Sequence, residues 1–332
     1  MKAIRTHQTG GPETLTLDEI DTPTPGKGEV LVAVKACAIN YPDGLIIRDM
    51  YQFKPQRPFA PGSEIAGVVE ALGEGVEGFA PGDRVLAGIG HGGLVEKVVV
   101  PASRMFKVPD GIPFEKAASL LMTYGTTIHG LKDRGHIKAG DTVLILGAAG
   151  GVGLSAIELA KAFGARVVAA VSSQAKGEVA RSAGADEIVI YPRETMDKDA
   201  SKALAEAFKK ACGPDGANIV YDIVGGQYSE PALRAIAWEG RFLVVGFPAG
   251  IAKMPLNLTL LKSCDICGVF WGAFTMRDPQ AFHAQVRELF DLMQAGKIDP
   301  LVSETFSLAR AGDAIAKLEA REAVGKLVVT ME

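Results

Sequence analysis

Leu146-Gly147-Ala148-Ala149-Gly150-Gly151-Val152-Gly153 is the stretch on which the fold turns. Before it runs Thr142-Val143-Leu144-Ile145-Leu146, a short continuous apolar segment of the kind buried on both faces of a parallel sheet. After it, Val152, Ile157, Leu159, Ala160 and Phe163 recur at helical spacing over 152–163. A glycine-rich turn between a buried strand and a helix is the setting in which a dinucleotide-binding fingerprint is credible. Ala148 stands where the first glycine of G-x-G-x-x-G is usual, and Gly150 and Gly153 take the second and third places. Gly150 lets the backbone approach a pyrophosphate, and Gly153 lets the helix pack closely on the strand. The helix N-terminus supplies free N–H groups and the positive end of a dipole, so Ala149, Gly150, Gly151, Val152 and Gly153 form the candidate phosphate cradle.

Working outward, strand and helix alternate. The sequence predicts strands over Arg166 to Val171, Glu187 to Ile190, Asn218 to Val224 and Phe242 to Val245. Helices are predicted near 175–183, 199–211 and 229–238. This alternation is that of an α/β, doubly wound parallel sheet. Residues 1 to about 120 differ: strand-like runs such as Val30 to Ala36 and Ile65 to Ala71 are separated by turns such as Thr22-Pro23-Thr24-Pro25-Gly26. The last 70 or so residues are mixed, end in Lys326-Leu327-Val328-Val329-Thr330, and are expected to return to the β-rich domain.

The second strand of the alternating region decides the cofactor. An NAD site has Asp or Glu about 20 residues beyond the turn, on the ribose 2′-hydroxyl. Here the chain reads Ala170-Val171-Ser172-Ser173-Gln174-Ala175-Lys176, with no carboxylate. Ser173 and Lys176 suit a 2′-phosphate, and hydrogen bonds to a charged group are worth roughly 1.5–3 kcal/mol each. Tyr191 and Arg193, just after the third strand, are placed to close the same pocket. The expected cofactor is NADPH.

Composition narrows the function classes. A chain of 332 residues is about two domains and needs no disulfide or metal to fold. Lys and Arg total 35 against 39 Asp and Glu, so no electrostatic footprint for nucleic acid is present. Cys37, Cys212, Cys264 and Cys267 form no secreted disulfide framework. Met1 to His7 lacks the apolar stretch of a signal peptide, and no run approaches the roughly 20 apolar residues of a membrane span. A soluble, cytoplasmic protein without membrane or nucleic-acid partners is expected.

Five further stretches carry a resemblance: Cys37-Ala38-Ile39-Asn40-Tyr41-Pro42-Asp43, Pro61-Gly62-Ser63-Glu64-Ile65-Ala66-Gly67-Val68-Val69, Pro81-Gly82-Asp83-Arg84-Val85, the turn at Ala148 to Gly153, and Gly325-Lys326-Leu327-Val328. In their order and spacing the chain resembles the medium-chain dehydrogenase/reductase superfamily, and within it the zinc-free NADPH:quinone oxidoreductases, zeta-crystallin-like. The resemblance implies a GroES-like, β-rich catalytic domain built from 1–123 and 260–332, with a Rossmann domain at 124–259 between them and the active site in the cleft. It also implies a homodimer formed through the Rossmann sheet edge, with dimer or tetramer left open. In the zinc-dependent branch the three catalytic ligands fall at Asn40, Ser63 and near Met122, none a good zinc ligand. The structural-zinc loop is replaced by Gly88-Ile89-Gly90-His91-Gly92-Gly93, and Cys264-x-x-Cys267 is expected to pack in a core or interface. No flavin motif stands out, so neither zinc nor flavin is expected.

Without them the nicotinamide carries the reduction itself. The resemblance implies Tyr51 as proton donor or orienter, as in the similar enoyl-thioester reductases, with simple packing as the other reading. It implies Asn40 as an orienting amide, Asp43 as its hydrogen-bonded neighbour and Tyr41 as a cleft residue. On the cofactor side it places Thr126, Gly246, Phe247 and Phe270 near the nicotinamide, Trp271 in the substrate pocket, and Lys326 within reach of a phosphate. Some bacterial quinone reductases carry an arginine near Phe270; its absence here implies a more apolar pocket. The expected activity is hydride transfer from NADPH to a quinone. The alternatives are reduction of an activated C=C bond in an enoyl thioester, haloacrylate or enone, and a non-catalytic NADPH-binding role.

Overall fold

Seven strands precede Thr142 in the computed structural model, which describes residues 1–331: β1 (Lys2–Thr6), β2 (Leu15–Glu19), β3 (Glu29–Ala38), β4 (Glu64–Leu72), β5 (Arg84–Gly88), β6 (Lys97–Pro101) and β7 (Met105–Lys107). Six follow in the alternating region: β8 (Thr142–Leu146), β9 (Arg166–Val171), β10 (Glu187–Ile190), β11 (Ala217–Asp222), β12 (Ile236–Val244) and β13 (Asp265–Gly268). The chain ends with β14 (Val302–Ser307) and β15 (Lys326–Thr330). Two units result: Met1–Met122 with the segment from Pro300 onward, and Thr123–Asp299.

In the first unit the order is β14-β15-β3-β4-β5-β7, with β6 also paired to β3 and a separate β1-β2 ribbon. The C-terminal strand is therefore central: β15 lies antiparallel to β3 and parallel to β14. The long strand β3 is the hub, pairing β4, β6 and β15, and its residues Val30, Val32 and Val34 are buried with Ile65, Val69, Val85, Leu94 and Val329.

The second unit holds a six-stranded parallel sheet in the order β10-β9-β8-β11-β12-β13. Helices Gly151–Ala162, Gln174–Ser182, Lys198–Cys212 and Ser229–Arg234 alternate with its strands, close to the positions the periodicity predicts. Strand order reverses between β8 and β11, and in open α/β sheets the ligand crevice lies there, at the carboxyl ends of the strands. The apolar residues Val143, Leu144, Ile145 and Leu146 of β8 are wholly buried, as a strand covered on both faces requires.

One boundary is corrected. Residues 260–299 do not return to the β-rich domain; they belong to the second unit, and the return begins at Pro300. The cause is β13, which pairs in parallel with β12 as the sixth strand, followed by helices Trp271–Arg277 and Pro279–Gln294. Asp265-Ile266-Cys267-Gly268 is a short edge strand with two charged or polar neighbours, so the buried-run criterion misses it.

Candidate functional site

The phosphate cradle takes the form its glycines require. Gly147 has φ +72°, the left-handed conformation that lets the chain turn off β8. A Cβ at Gly153 would lie 2.3 Å from the Gly147 carbonyl oxygen and 2.6 Å from Ala148 backbone atoms, so helix and strand meet there without room for a side chain. A Cβ at Gly150 would meet nothing nearer than 3.6 Å, leaving a concavity over the backbone. Gly150 is also the N-cap residue of the Gly151–Ala162 helix, and no side chain caps that end. The first-turn N–H groups are thus left for an anion, and the residues present fit a dinucleotide pyrophosphate.

At the carboxyl end of β9, Ser173 is the N-cap of the next helix and accepts a hydrogen bond from the Lys176 backbone N–H at 3.3 Å. Its hydroxyl proton remains available to an acceptor, and Lys176 sits on the helix's first turn. Arg193 is exposed. Tyr191, the residue after β10, is buried in the unit's core with its ring 4.7 Å from the Tyr228 ring.

The remaining cofactor candidates follow the strand ends. Gly246 lies just past β12, and Phe247 and Phe270 are large exposed rings, 56% and 60% accessible. Trp271, the first residue after Phe270, is buried, with the edge of its indole laid on Gly125; a Cβ at Gly125 would come within 2.8–2.9 Å of that ring. Thr126 is next in sequence to Gly125, so the structure brings Thr126 and Trp271 into one neighbourhood of the second unit.

The first unit contains a buried polar knot that the sequence shows only in part. Asn40 caps helix Tyr41–Ile47 through a reciprocal box: its side chain accepts from the Asp43 N–H, and Asp43 Oδ2 accepts from the Asn40 N–H at 2.7 Å. Asn40 Nδ2 donates to the Ala38 carbonyl at 3.2 Å, to Ser63 Oγ at 3.3 Å and to Glu64 Oε1 at 2.9 Å. Lys326, on β15, drives its ammonium into this cluster: Nζ lies 2.6 Å from Asn40 Oδ1, 3.0 Å from the Ile39 carbonyl and 3.1 Å from Glu64 Oε1. Glu64 Oε2 accepts from the Met122 N–H at 2.9 Å.

This geometry moves Lys326 from its expected place and ties Asn40 and Asp43 into the unit. Lys326 does not reach for a phosphate; it is 4% exposed and bound to Glu64, because a charge placed in a central strand needs a partner inside. Both ends of the Asn40 amide are engaged within the unit. Asp43 is a helix cap, with Oδ1 accepting from the Gly62 N–H at 3.2 Å.

Burial pushes the Asp43 carboxyl up to about 7, against the pull of the Asn40 N–H, Lys326 and the Gly62 N–H. A raised folded-state value means the contribution is present below the ordinary carboxylate range and is lost as pH rises toward 7. The difference in unfolding free energy between wild type and Asp43→Asn should therefore move against wild type, by roughly 1–4 kcal/mol, between pH 4.5 and 8. Urea titrations of both proteins across that range check it, and a pH-independent difference refutes it.

Tyr51 lies on the loop after that helix, half-buried against the unit's core. Burial, and then the nearby Asp43 charge, raise its phenol above the usual value, so it keeps its proton at neutral pH. Tyr41, the first residue of the helix, is 43% exposed.

Residues 26–110 match the alcohol dehydrogenase GroES-like domain family, and residues 151–294 the zinc-binding dehydrogenase family. The chain is 36% identical to the quinone oxidoreductase-like protein 2 homolog of Nematostella vectensis, over 99% of this chain and 88% of that one. A mycobacterial protein solved in complex with NADPH superposes with a TM-score of 0.91 at 34% identity, all of both chains covered. Escherichia coli quinone oxidoreductase, also solved with NADPH, gives 0.90 at 29% identity, again over both whole chains.

The description of one matched family raises zinc, and the residues do not fit it. Asn40 and Ser63 offer an amide and a hydroxyl, and the Lys326 ammonium already neutralises Glu64. Among the described residues no group of three or more His, Cys, Asp and Glu side chains is placed to hold a metal ion. With a GroES-like domain, a parallel Rossmann-like sheet and a quinone oxidoreductase-like relative matched over nearly its whole length, the chain belongs to the medium-chain dehydrogenase/reductase superfamily, in the quinone oxidoreductase-like family of oxidoreductases.

Proposed function

We propose that this chain is an NADPH-dependent, zinc-independent reductase of electron-poor acceptors, with quinones as its substrate class. The observation that carries the cofactor is the end of β9, where a serine N-cap and a first-turn lysine stand in place of a ribose-binding carboxylate. Relatives solved with NADPH support the same reading. Zinc independence rests on the closed knot at Asn40, Glu64 and Lys326. When bound, the reduced nicotinamide supplies the hydride. The cradle at Gly150–Gly153 holds the pyrophosphate, Ser173 and Lys176 hold the 2′-phosphate, and the Tyr51 phenol offers a proton to the acceptor oxygen on which charge develops.

Lys176→Ala should raise the Kd for NADPH more than about tenfold while leaving NADH nearly unchanged. Fluorescence titration with both nucleotides checks this, and equal losses would remove the 2′-phosphate assignment. The activity itself is tested by NADPH consumption with ortho- and para-quinones beside enoyl thioesters and enones. Quinone turnover supports the reading, whereas preference for an activated double bond moves the assignment to the second one. That second reading is favoured by one observation: Tyr51 is half-buried, and burial raises its phenol above the usual value, so it holds a proton that it could give to an enolate.

The chain is further proposed to act as a homodimer in the cytoplasm. The edge strand β13 and the preceding helix Asn257–Lys262 expose Leu256, Leu260, Leu261 and Ile266, an apolar margin suited to a second copy. All four cysteines are buried free thiols, which suits a reducing compartment, and no described helix is long and apolar enough to cross a membrane.

A further inference from the structure

The chain passes between its two units twice, at Met122–Thr123 and at Asp299–Pro300. One carboxylate holds the second unit's end of both crossings. Glu158, in the helix that begins at the phosphate cradle, accepts at Oε2 from the Tyr124 hydroxyl at 2.6 Å and from the Asp299 backbone N–H at 2.9 Å. Ser155, one turn nearer the cradle on the same helix face, adds a second grip on the first crossing. Its Oγ lies 2.9 Å from the Val152 carbonyl oxygen, 3.2 Å from the Thr123 carbonyl oxygen and 2.7 Å from Thr127 Oγ1, which in turn accepts from the Tyr221 hydroxyl at 3.1 Å. Ser155, Thr127 and Tyr221 are fully buried, so these bonds face no competing water.

The backbone of the first crossing is itself unusual. Leu121–Gly125 is a π-helical turn, and a second one spans His129–Arg134. Such turns are rare and mark functional segments of helices. Both crossings are fastened to the helix whose N-terminus faces the pyrophosphate.

We propose that Glu158 is a positioning residue that couples occupancy of the phosphate cradle to both crossings, so that cofactor binding stiffens the second unit's end of each. An anion bound at Gly150–Gly153 fixes the helix along its axis, and Glu158 and Ser155 pass that constraint to Tyr124, Thr123 and Asp299. The inference rests on the cradle being the cofactor site.

Hydrogen exchange with and without NADPH tests it. In wild type, NADPH is expected to slow amide exchange about tenfold or more at 147–153, at 121–126 and at 297–301. In Glu158→Ala the slowing should persist at 147–153 and fall below about twofold at both crossings, with kcat reduced and the NADPH Kd little changed. Glu158→Gln keeps an acceptor oxygen and should restore both. Tyr124→Phe, which removes a single donor, should lose protection at 121–126 alone, and it serves if the alanine variant folds poorly. Undiminished protection of the crossings in Glu158→Ala and Tyr124→Phe overturns the coupling. If NADPH fails to slow exchange at 147–153 in wild type, the cofactor assignment falls first and the coupling with it.

Discussion

Replacing Lys326 with methionine is expected to destabilise the protein by about 3–5 kcal/mol. Among the described residues the ammonium is the only cation bonded to Glu64, whose side chain is 1% exposed, and its removal leaves a buried carboxylate without its counter-charge. The Asn40 amide and the Met122 N–H still reach Glu64, but two neutral donors do not offset the desolvation of an ion. The Ile39 carbonyl also loses its lysine donor. Methionine fills most of the volume of the lysine stem, so the loss reports charge rather than a cavity. The double variant Glu64→Gln, Lys326→Met should recover most of the stability, since replacing both members of a buried pair is far less costly than breaking it. Denaturant unfolding of the four proteins in the cycle measures the coupling. A single-variant loss below about 1 kcal/mol would show that the knot is solvated and that its geometry does not govern the stability of the β-rich unit.

That knot also marks where sequence reasoning stops. Glu64 and Lys326 are 262 positions apart, and each is the first residue of a mostly apolar strand, where a charge signals something unusual without naming its partner. Asn40 and Asp43 were singled out by position, but whether their polar atoms face a ligand or each other depends on a capping box that only the backbone reveals. The strand β8, its glycine turn and the following helix were legible because three signals agree there: a buried run, glycines at fixed offsets and helical periodicity. The edge strand β13 was not, because four residues with one buried side carry too little pattern. The π-helical turn at Leu121–Gly125 depends on which carbonyl each N–H finds, and Leu-Met-Thr-Tyr-Gly does not encode that choice by composition. Glu158 reads as an ordinary exposed helix glutamate until Tyr124 and Asp299 are found beside it. Local signals thus placed the elements, and the polar partnerships between distant segments came only with the fold.

Gly153→Ala and Gly150→Ala are expected to weaken NADPH binding by different routes, and the contrast tests the cradle. At Gly153 the added methyl meets backbone, the Gly147 carbonyl at 2.3 Å and Ala148 at 2.6 Å, and neither can rotate away as a side chain would. The helix must lift from β8, an overpacking cost of about 1–3 kcal/mol that lowers the melting temperature. Its first-turn N–H groups then no longer converge on the pyrophosphate. Losing two hydrogen bonds to a charged group corresponds to about 100-fold or more in Kd. At Gly150 the methyl meets only ordinary contact at 3.6 Å, and the backbone there, φ −79° and ψ 170°, suits any residue. Gly150→Ala should therefore fold with an unchanged melting temperature, yet its methyl occupies the concavity over which the pyrophosphate must lie. The expected pair of results is a destabilised, weak-binding Gly153→Ala and a stable, weak-binding Gly150→Ala, read by thermal melts and NADPH titration. Wild-type affinity in Gly150→Ala would mean that the phosphates do not pass over this turn, and the cofactor would then have to be sought elsewhere in the crevice between β8 and β11.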